Sequence, residues 1–195
     1  APIPDGINDP GEAGNRKMHE INKKLDKAIL KPASHAYGVV TKGPISRGVE
    51  NFANNLSLPG MVLNDLLQFK LGAALQNTAR FAMNSTFGLG GLIDVATQNK
   101  LTVRPTDFGE TLYVWGFPEG RFVELPVFGA NTERSAVGLA VDFVINPTNL
   151  LSKAQRNIGT TAKILKKAGD RDKYTGLVDS VLYGSEDSYA QSRLL

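Results

Sequence analysis

The sequence predicts an all-α protein, a succession of amphipathic helices with little or no β structure. Three features predict it. Apolar residues recur at three- and four-residue spacing in segment after segment. Prolines stand where helices would open or stop. Within the domain, Phe122-Val123-Glu124-Leu125-Pro126 is the best candidate for a strand or extended segment, and its proline limits it to an edge or a loop. At 195 residues without an internal repeat, the chain suits a single helical domain over 9–195, preceded by an extended arm over 1–8.

Asp9-Pro10-Gly11-Glu12 has the composition of a helix start, with Asp9 as cap and Glu12 completing a capping box. The helix that follows places Met18, Ile21, Leu25, Ala28 and Ile29 on one face and lysines on the other. Lys31-Pro32 ends it, because the residue before proline is pushed out of the helical region. Pro44 opens the next helix, with Ile45, Val49, Phe52 and Leu56 on one side, and Pro59 restarts the chain into Met61 to Leu67. Asp107 to Trp115 forms a short helix, and Ala136 to Ile145 another, stopped by Asn146-Pro147. Basic amphipathic helices occupy 150–183, with the stripe Ala154, Ile158, Ala162, Leu165, then Tyr174 to Leu182 and Gly184 as C-cap. Between Lys153 and Lys173, seven Lys or Arg stand against two Asp on a chain whose net charge is only +3.

The stretch from Leu71 to Ile93 carries a single charge, Arg80, in 23 residues. Its polar Gln76, Asn77, Asn84 and Ser85, and the bend formed by Gly88, Gly90 and Gly91, exclude a membrane-spanning helix. Two readings of Phe81 to Ile93 stand side by side. One is a buried helix ending in a glycine turn. The other is a helix lying in a lipid interface, bent within the headgroup region.

The charge is too small and scattered for a nucleic-acid surface. The absence of cysteine excludes disulfides, thiol nucleophiles and Cys-ligated zinc. Neither a nucleophile elbow, nor a phosphate-binding loop, nor a zinc helix motif occurs. The two histidines, His19 on the charged face of the first helix and His35 after Pro32, read as surface or packing residues. No enzyme activity, metal or cofactor is expected. Acidic residues in apolar settings (Asp65, Asp94, Asp107, Asp142) must each find a cation, a donor or water.

Several of these motifs, taken in order, resemble the MlaA (VacJ) family of Gram-negative outer-membrane lipoproteins. They are Asp9-Pro10-x-Glu12, Asn15-Arg16-x-Met18, Lys31-Pro32, Asn51-Phe52 and the segment Pro59 to Gln68. The strongest is Arg80-Phe81 followed by Asn84-Ser85-Thr86-Phe87-Gly88-Leu89-Gly90-Gly91-Leu92-Ile93-Asp94. Asp107-Phe108-Gly109, Val114-Trp115-Gly116, Leu125-Pro126-x-Phe128-Gly129, Arg134 and Gly138 continue it, so that the resemblance covers 9–142. Gly14 stands where the family usually has an aromatic residue, and the family's lipidated N-terminal cysteine has no counterpart. An anchor upstream of Ala1, or retention by the helices alone, would account for that.

The resemblance implies a helical ring in the inner leaflet of the outer membrane, on its periplasmic face, with an amphipathic channel. Such a ring removes phospholipid from the outer leaflet, passes it to a soluble periplasmic lipid carrier, and associates with a trimeric porin. Candidate channel-wall residues are Asn64, Asp65, Arg80, Asn84, Asp94 and Asp107. Arg80 is placed either on a lipid phosphate, which its planar fork matches, or in an ion pair. Lys153, Arg156, Lys163, Lys166 and Lys167 would dock the carrier or anionic headgroups. An envelope scaffold and a soluble lipid carrier without channel activity are the competing readings.

Overall fold

The computed structural model describes residues 6–41 and 43–194, most of them helical. α1 (Glu12–Leu25) runs through a π-helical turn (Asp26–Leu30) into α2 (Lys31–Val40). α3 (Pro44–Asn55), α4 (Leu58–Leu67) and α5 (Leu71–Thr86) follow, then the short α6 (Val95–Gln98) and α7 (Phe108–Val114). A hairpin of β1 (Phe122–Leu125) and β2 (Gly129–Thr132) leads into α8 (Glu133–Ile145), a 3₁₀ turn (Pro147–Leu150), and α9 (Lys153–Lys173). α10 (Thr175–Leu182) and α11 (Ser188–Ser192) complete the chain.

Local chemistry accounts for most boundaries. Pro44 stands at the first position of α3, and Asp107, Thr132 and Asp187 each accept a backbone N–H as caps of the helices they precede. Ser152 and Gln155 form a reciprocal capping box at the start of α9. Phe122 pairs with Thr132 and Leu125 with Gly129, and Val127 and Gly129 supply positive φ in the turn between them.

Two expected boundaries are corrected. Lys31-Pro32 does not end a helix. The π turn widens the helix so that Lys31 N–H reaches Asp26 O, five residues back, and proline's missing N–H is accommodated without a break. Asp9 does not cap α1; Gly11 does so without a side-chain bond, and Asp9 is engaged elsewhere. The expected arm over 1–8 falls largely on residues 1–5, outside the described residues; at its end, the Asn8 carbonyl accepts Phe122 N–H at 2.7 Å.

Tracing the packing from neighbour to neighbour gives a closed circuit. α1 packs on β1, the hairpin on α8, α8 on α7, α7 on α4, α4 on α5, α5 on α3, α3 on α9, α9 on α2, and α2 returns through the π turn to α1. This is the ring. Its burial is inverted relative to a water-soluble domain. Among the described residues, fourteen polar or charged side chains are buried against eight apolar or aromatic ones, of which four are alanines. Large apolar side chains point outward instead, including Phe69 (87 % exposed), Phe87 (75 %), Phe143 (81 %) and Leu150 (91 %). α1 and the π turn follow suit: Ile21 and Ile29 face out, while His19 and Asp26 face in. Exposed apolar surface on this scale marks a lipid or protein contact. No helix among the described residues is long and apolar enough to cross a membrane.

Candidate functional site

α5 carries the inversion to its limit. Its buried stripe is Ala74, Asn77, Arg80 and Asn84, at helical spacing, while Leu71 and Leu75 stand exposed. Arg80 is 6 % exposed. Its Nη2 donates to both Asp94 oxygens at 3.1 and 3.0 Å, and its Nη1 donates to Thr97 Oγ1 at 3.0 Å and to the Leu101 carbonyl. Both outer nitrogens of the fork are thereby engaged within the protein. The Asp94 carboxylate also accepts from Asn84 Nδ2, from Thr97 N–H and from the Thr97 hydroxyl at 2.6 Å, so it caps α6 as well as pairing. Burial pushes the Asp94 carboxyl up, but the Thr97 donors, Asn84 and Arg80 outweigh it and hold the carboxyl below its ordinary range.

These three residues line a cavity of about 280 Å³, with Asn51, Asn54, Asn55 and Thr97 as further polar lining and Leu58, Met61 and Val103 as apolar lining. Two buried atoms of its lining, Arg80 Nε and Asn55 Oδ1, have no partner among the described residues. The chain turn over 87–93 closes against it. A Cβ on Gly91 would fall 2.6 Å from Asn55 Nδ2, and Gly90 and Gly91 both take positive φ. A Cβ on Gly88 would meet the Ile93 carbonyl at 2.2 Å, which accounts for glycine at the third bend position. The cavity is amphipathic, lined by hydrogen-bonding and hydrocarbon side chains together.

Of the six expected wall residues, Arg80, Asn84 and Asp94 come together in this cavity. Asn64 and Asp65 are buried in a separate network one or two turns along. There Asn64 bridges Asp142 (2.8 Å) and Thr111 (2.9 Å), Gln68 donates to Thr106 and Thr111, and Asn77 donates to Asp65 at 2.8 Å. Burial pushes the Asp65 carboxyl up, against the opposing pull of Asn77 and Lys70. Asp107 is an exposed helix cap. Sequence reasoning missed Asn51, Asn54, Asn55 and Thr97; the run Asn51-Phe52-Ala53-Asn54-Asn55 was the available signal, three amides on one amphipathic helix.

The family model described as MlaA lipoprotein matches residues 7–195. The chain belongs to the MlaA lipoprotein family. It is 37 % identical over 138 residues, 69 % of this chain and 55 % of the relative, to the intermembrane phospholipid transport system lipoprotein MlaA of Haemophilus influenzae. It is 34 % identical over 141 residues, 70 % of this chain and 56 % of the relative, to the protein of the same name from Escherichia coli. An uncharacterized protein of Rickettsia typhi is 31 % identical over 188 residues, 96 % of this chain and 74 % of the relative. A chain solved in a study of the structural basis for maintenance of bacterial outer-membrane lipid asymmetry aligns with TM-score 0.78 at 29 % identity, covering 95 % of this chain and 94 % of that one. The likeness to MlaA proteins therefore extends past the 9–142 legible in the sequence.

Elsewhere in this MlaA-family ring, buried polar groups join distant segments. Asp26 on the π turn receives Arg171 through Nε and Nη2, both at 2.8 Å, and the Tyr183 hydroxyl at 2.8 Å; Arg171 and Lys31 share Asp179. Burial and the Asp26 charge push the Tyr183 phenol up to about 12. His19, read from the sequence as a surface or packing residue, takes the packing role. It is buried, with Nδ1 3.2 Å from Glu124 Oε1 and Nε2 3.0 Å from Ser188 Oγ, and Tyr189 packs edge-on against its ring. The order hydroxyl, imidazole, carboxylate is that of an acyl-transfer triad. Here Lys23 Nζ also donates to Ser188 Oγ at 3.1 Å, drawing density from the oxygen that would have to attack. The group fastens α11 to α1 and β1.

Arg16 grips Asp187 with two 3.0 Å bonds, and this pair, with the Ala190 N–H, lowers the Asp187 carboxyl to about 2. The carboxyls of Asp26, Asp94 and Asp179 are also held below their ordinary values. A carboxyl depressed in the folded state stabilises fully above its unfolded value of about 4 and loses that contribution as pH falls through the folded one. The unfolding midpoint in detergent should therefore drop as pH is lowered from about 4 towards 2. Asp187→Asn should flatten that drop at its lowest end; a profile indifferent to the substitution would remove Asp187 from the account.

The five expected docking cations divide. Lys166 pairs with Asp170 at 2.6 Å, and the Lys167 ammonium sits 4.5 Å above the Phe128 ring, so both are occupied within the protein. Lys153, Arg156 and Lys163 share a second cavity without a carboxylate.

Proposed function

We propose that the protein moves phospholipid, lying in the inner leaflet of the outer membrane and carrying lipid from the outer leaflet towards a soluble periplasmic carrier. The inverted burial of the ring carries this reading: apolar side chains outward, hydrogen-bonded polar groups inward, and an amphipathic cavity at Arg80 between them. The physical problem is two-sided. Exposing two acyl chains to water costs about 25 kcal/mol at about 0.8 kcal/mol per methylene, and an uncompensated headgroup charge in hydrocarbon costs comparably. A wall that offers hydrogen bonds on one side and hydrocarbon on the other lowers both. Membership of a family with relatives named for phospholipid transport supports the same reading.

Arg80 enters this reading as the residue that builds the polar wall, its fork held by Asp94, Thr97 and the Leu101 carbonyl. A trimeric porin, expected from the resemblance, would cover part of the outward apolar surface. In a host deleted for this gene, labelling by an impermeant amine reagent should show surface phosphatidylethanolamine rising several-fold and returning to normal with the wild-type gene. Asn54→Trp, an exposed cavity-lining position, should fail to restore it at equal protein level. Unchanged surface phospholipid on deletion would overturn the proposal. Lipid movement in proteoliposomes separates transport from scaffolding.

A further inference from the structure

Where α8 ends and α9 begins, the chain folds a second cavity of about 330 Å³. Lys153, Arg156, Thr160 and Lys163 face it at the spacing of a single helical stripe, and Asn157 adds an amide. No acidic residue lines it. None of the three cations pairs with a carboxylate among the described residues; Arg156 reaches only the Asn149 carbonyl, at 3.4 Å. Three like charges gathered about one hollow repel one another, and Lys163 is half-buried besides, so that burial pushes its ammonium below the usual lysine range. An anion would relieve both penalties. The rim distinguishes which anion. Phe143 and Leu151 line the same cavity, and Leu150, next to Leu151 in the chain, is almost wholly exposed. A free phosphate has no use for hydrocarbon at its rim, whereas a lipid does.

We infer that this corner is a binding site for the headgroup of an anionic glycerophospholipid, its phosphate held by Lys153, Arg156 and Lys163 and its acyl chains lying against Phe143, Leu150 and Leu151. Guanidinium and ammonium donors bind phosphate oxygens through charge-assisted bonds, Arg156 being able to do so through two at once. The site lies apart from the Arg80 cavity; the two share no lining residue. It would set the depth and tilt of the ring by fixing one corner at the phosphate level. The inference rests on the reading of the protein as seated in a phospholipid leaflet, and goes beyond it by naming the lipid class and the residues that select it.

The test uses the full chain in uncharged detergent, titrated with short-chain phosphatidylglycerol and followed by thermal unfolding and native mass spectrometry. Phosphatidylglycerol should stabilise the wild type and remain bound, more tightly than phosphatidylcholine of the same chain length. The triple variant Lys153→Gln/Arg156→Gln/Lys163→Gln should bind it about a hundredfold more weakly, from about a factor of five per cation facing an anionic headgroup. The control Lys166→Gln/Lys167→Gln removes charge from the same helix and should leave affinity unchanged. Equal affinity in wild type and triple variant would overturn the site, as would an equal loss in the control. Protection by millimolar inorganic phosphate as strong as that by the lipid would make it a free-anion site and overturn the lipid assignment. Protection by polyglutamate alone would overturn it in favour of an acidic protein partner. Binding is read without transport: a chain that binds through these residues yet moves no lipid would overturn only the function proposed above.

Discussion

Gly138→Ala is expected to destabilise the protein by about 3 kcal/mol, at the upper end of what overpacking costs. Gly138 is buried in α8 where it crosses α7. A Cβ there would lie 2.4 Å from the backbone nitrogen of Gly109 and 2.6 Å from its Cα. No rotamer relieves a contact between a Cβ and backbone, so the helices must separate. Separation would also pull Asp142 from Phe108 N–H and from Asn64, both at 2.8 Å. Gly72→Ala makes the natural comparison: it adds a Cβ to α5 with nothing within 4 Å and should raise stability by about 0.5 kcal/mol. Urea titration in detergent checks both. Equal midpoints for Gly138→Ala and wild type would show that the α7–α8 crossing is looser than described.

Arg80→Ala should cost about as much, because removing one partner of a buried pair leaves the other to be desolvated for nothing, a loss of about 3 kcal/mol or more. The Arg80 side chain is 7 % exposed and that of Asp94 28 %, so part of the cost is recovered by water reaching the carboxylate. Arg80→Lys should not rescue it, since an ammonium cannot hold Asp94, Thr97 and the Leu101 carbonyl in one plane. A double-mutant cycle with Asp94→Asn, which keeps the cap on α6, should show a coupling of about 1–3 kcal/mol. Additivity within error would mean that the two residues act independently, and the polar wall of the cavity would need another account.

Element boundaries were legible where local chemistry sets them. Pro44, the cap at Asp107 and the Asn146-Pro147 stop needed no tertiary knowledge. Pro32 was illegible because its accommodation depends on a π turn, which has no composition of its own. β2, with the sequence Gly-Ala-Asn-Thr, carries no strand signal and exists by pairing with β1; α11 is too short to show periodicity. The direction in which the stripes face was beyond reach. Periodicity locates an apolar face but does not say whether the solvent outside it is water or lipid. The spacing on α1 therefore gave an apolar face without saying what it meets, and left His19, on the charged face, as a surface or packing residue. Arg80 and Asp94 flank the uncharged run from Phe81 to Ile93, and the fold brings them into contact. Asn55, thirty-nine residues before Asp94, is brought to the same cavity by the packing of α3 on α5.

Outside the circuit, the start of the chain is tied to its last helix. Asp9 receives both the Tyr189 hydroxyl and Arg193, partners 180 and 184 residues along the chain, and α11 covers the junction of α1 with the hairpin. Contacts of such separation carry the largest loop-closure entropy and are the last to form. This fastening cannot be made until almost the whole chain is present. The groups that hold Asp9 belong to α11 and the residue that follows it, so removing that short helix would leave the start of α1 and the hairpin without their common tie while the circuit of the other helices keeps its own contacts.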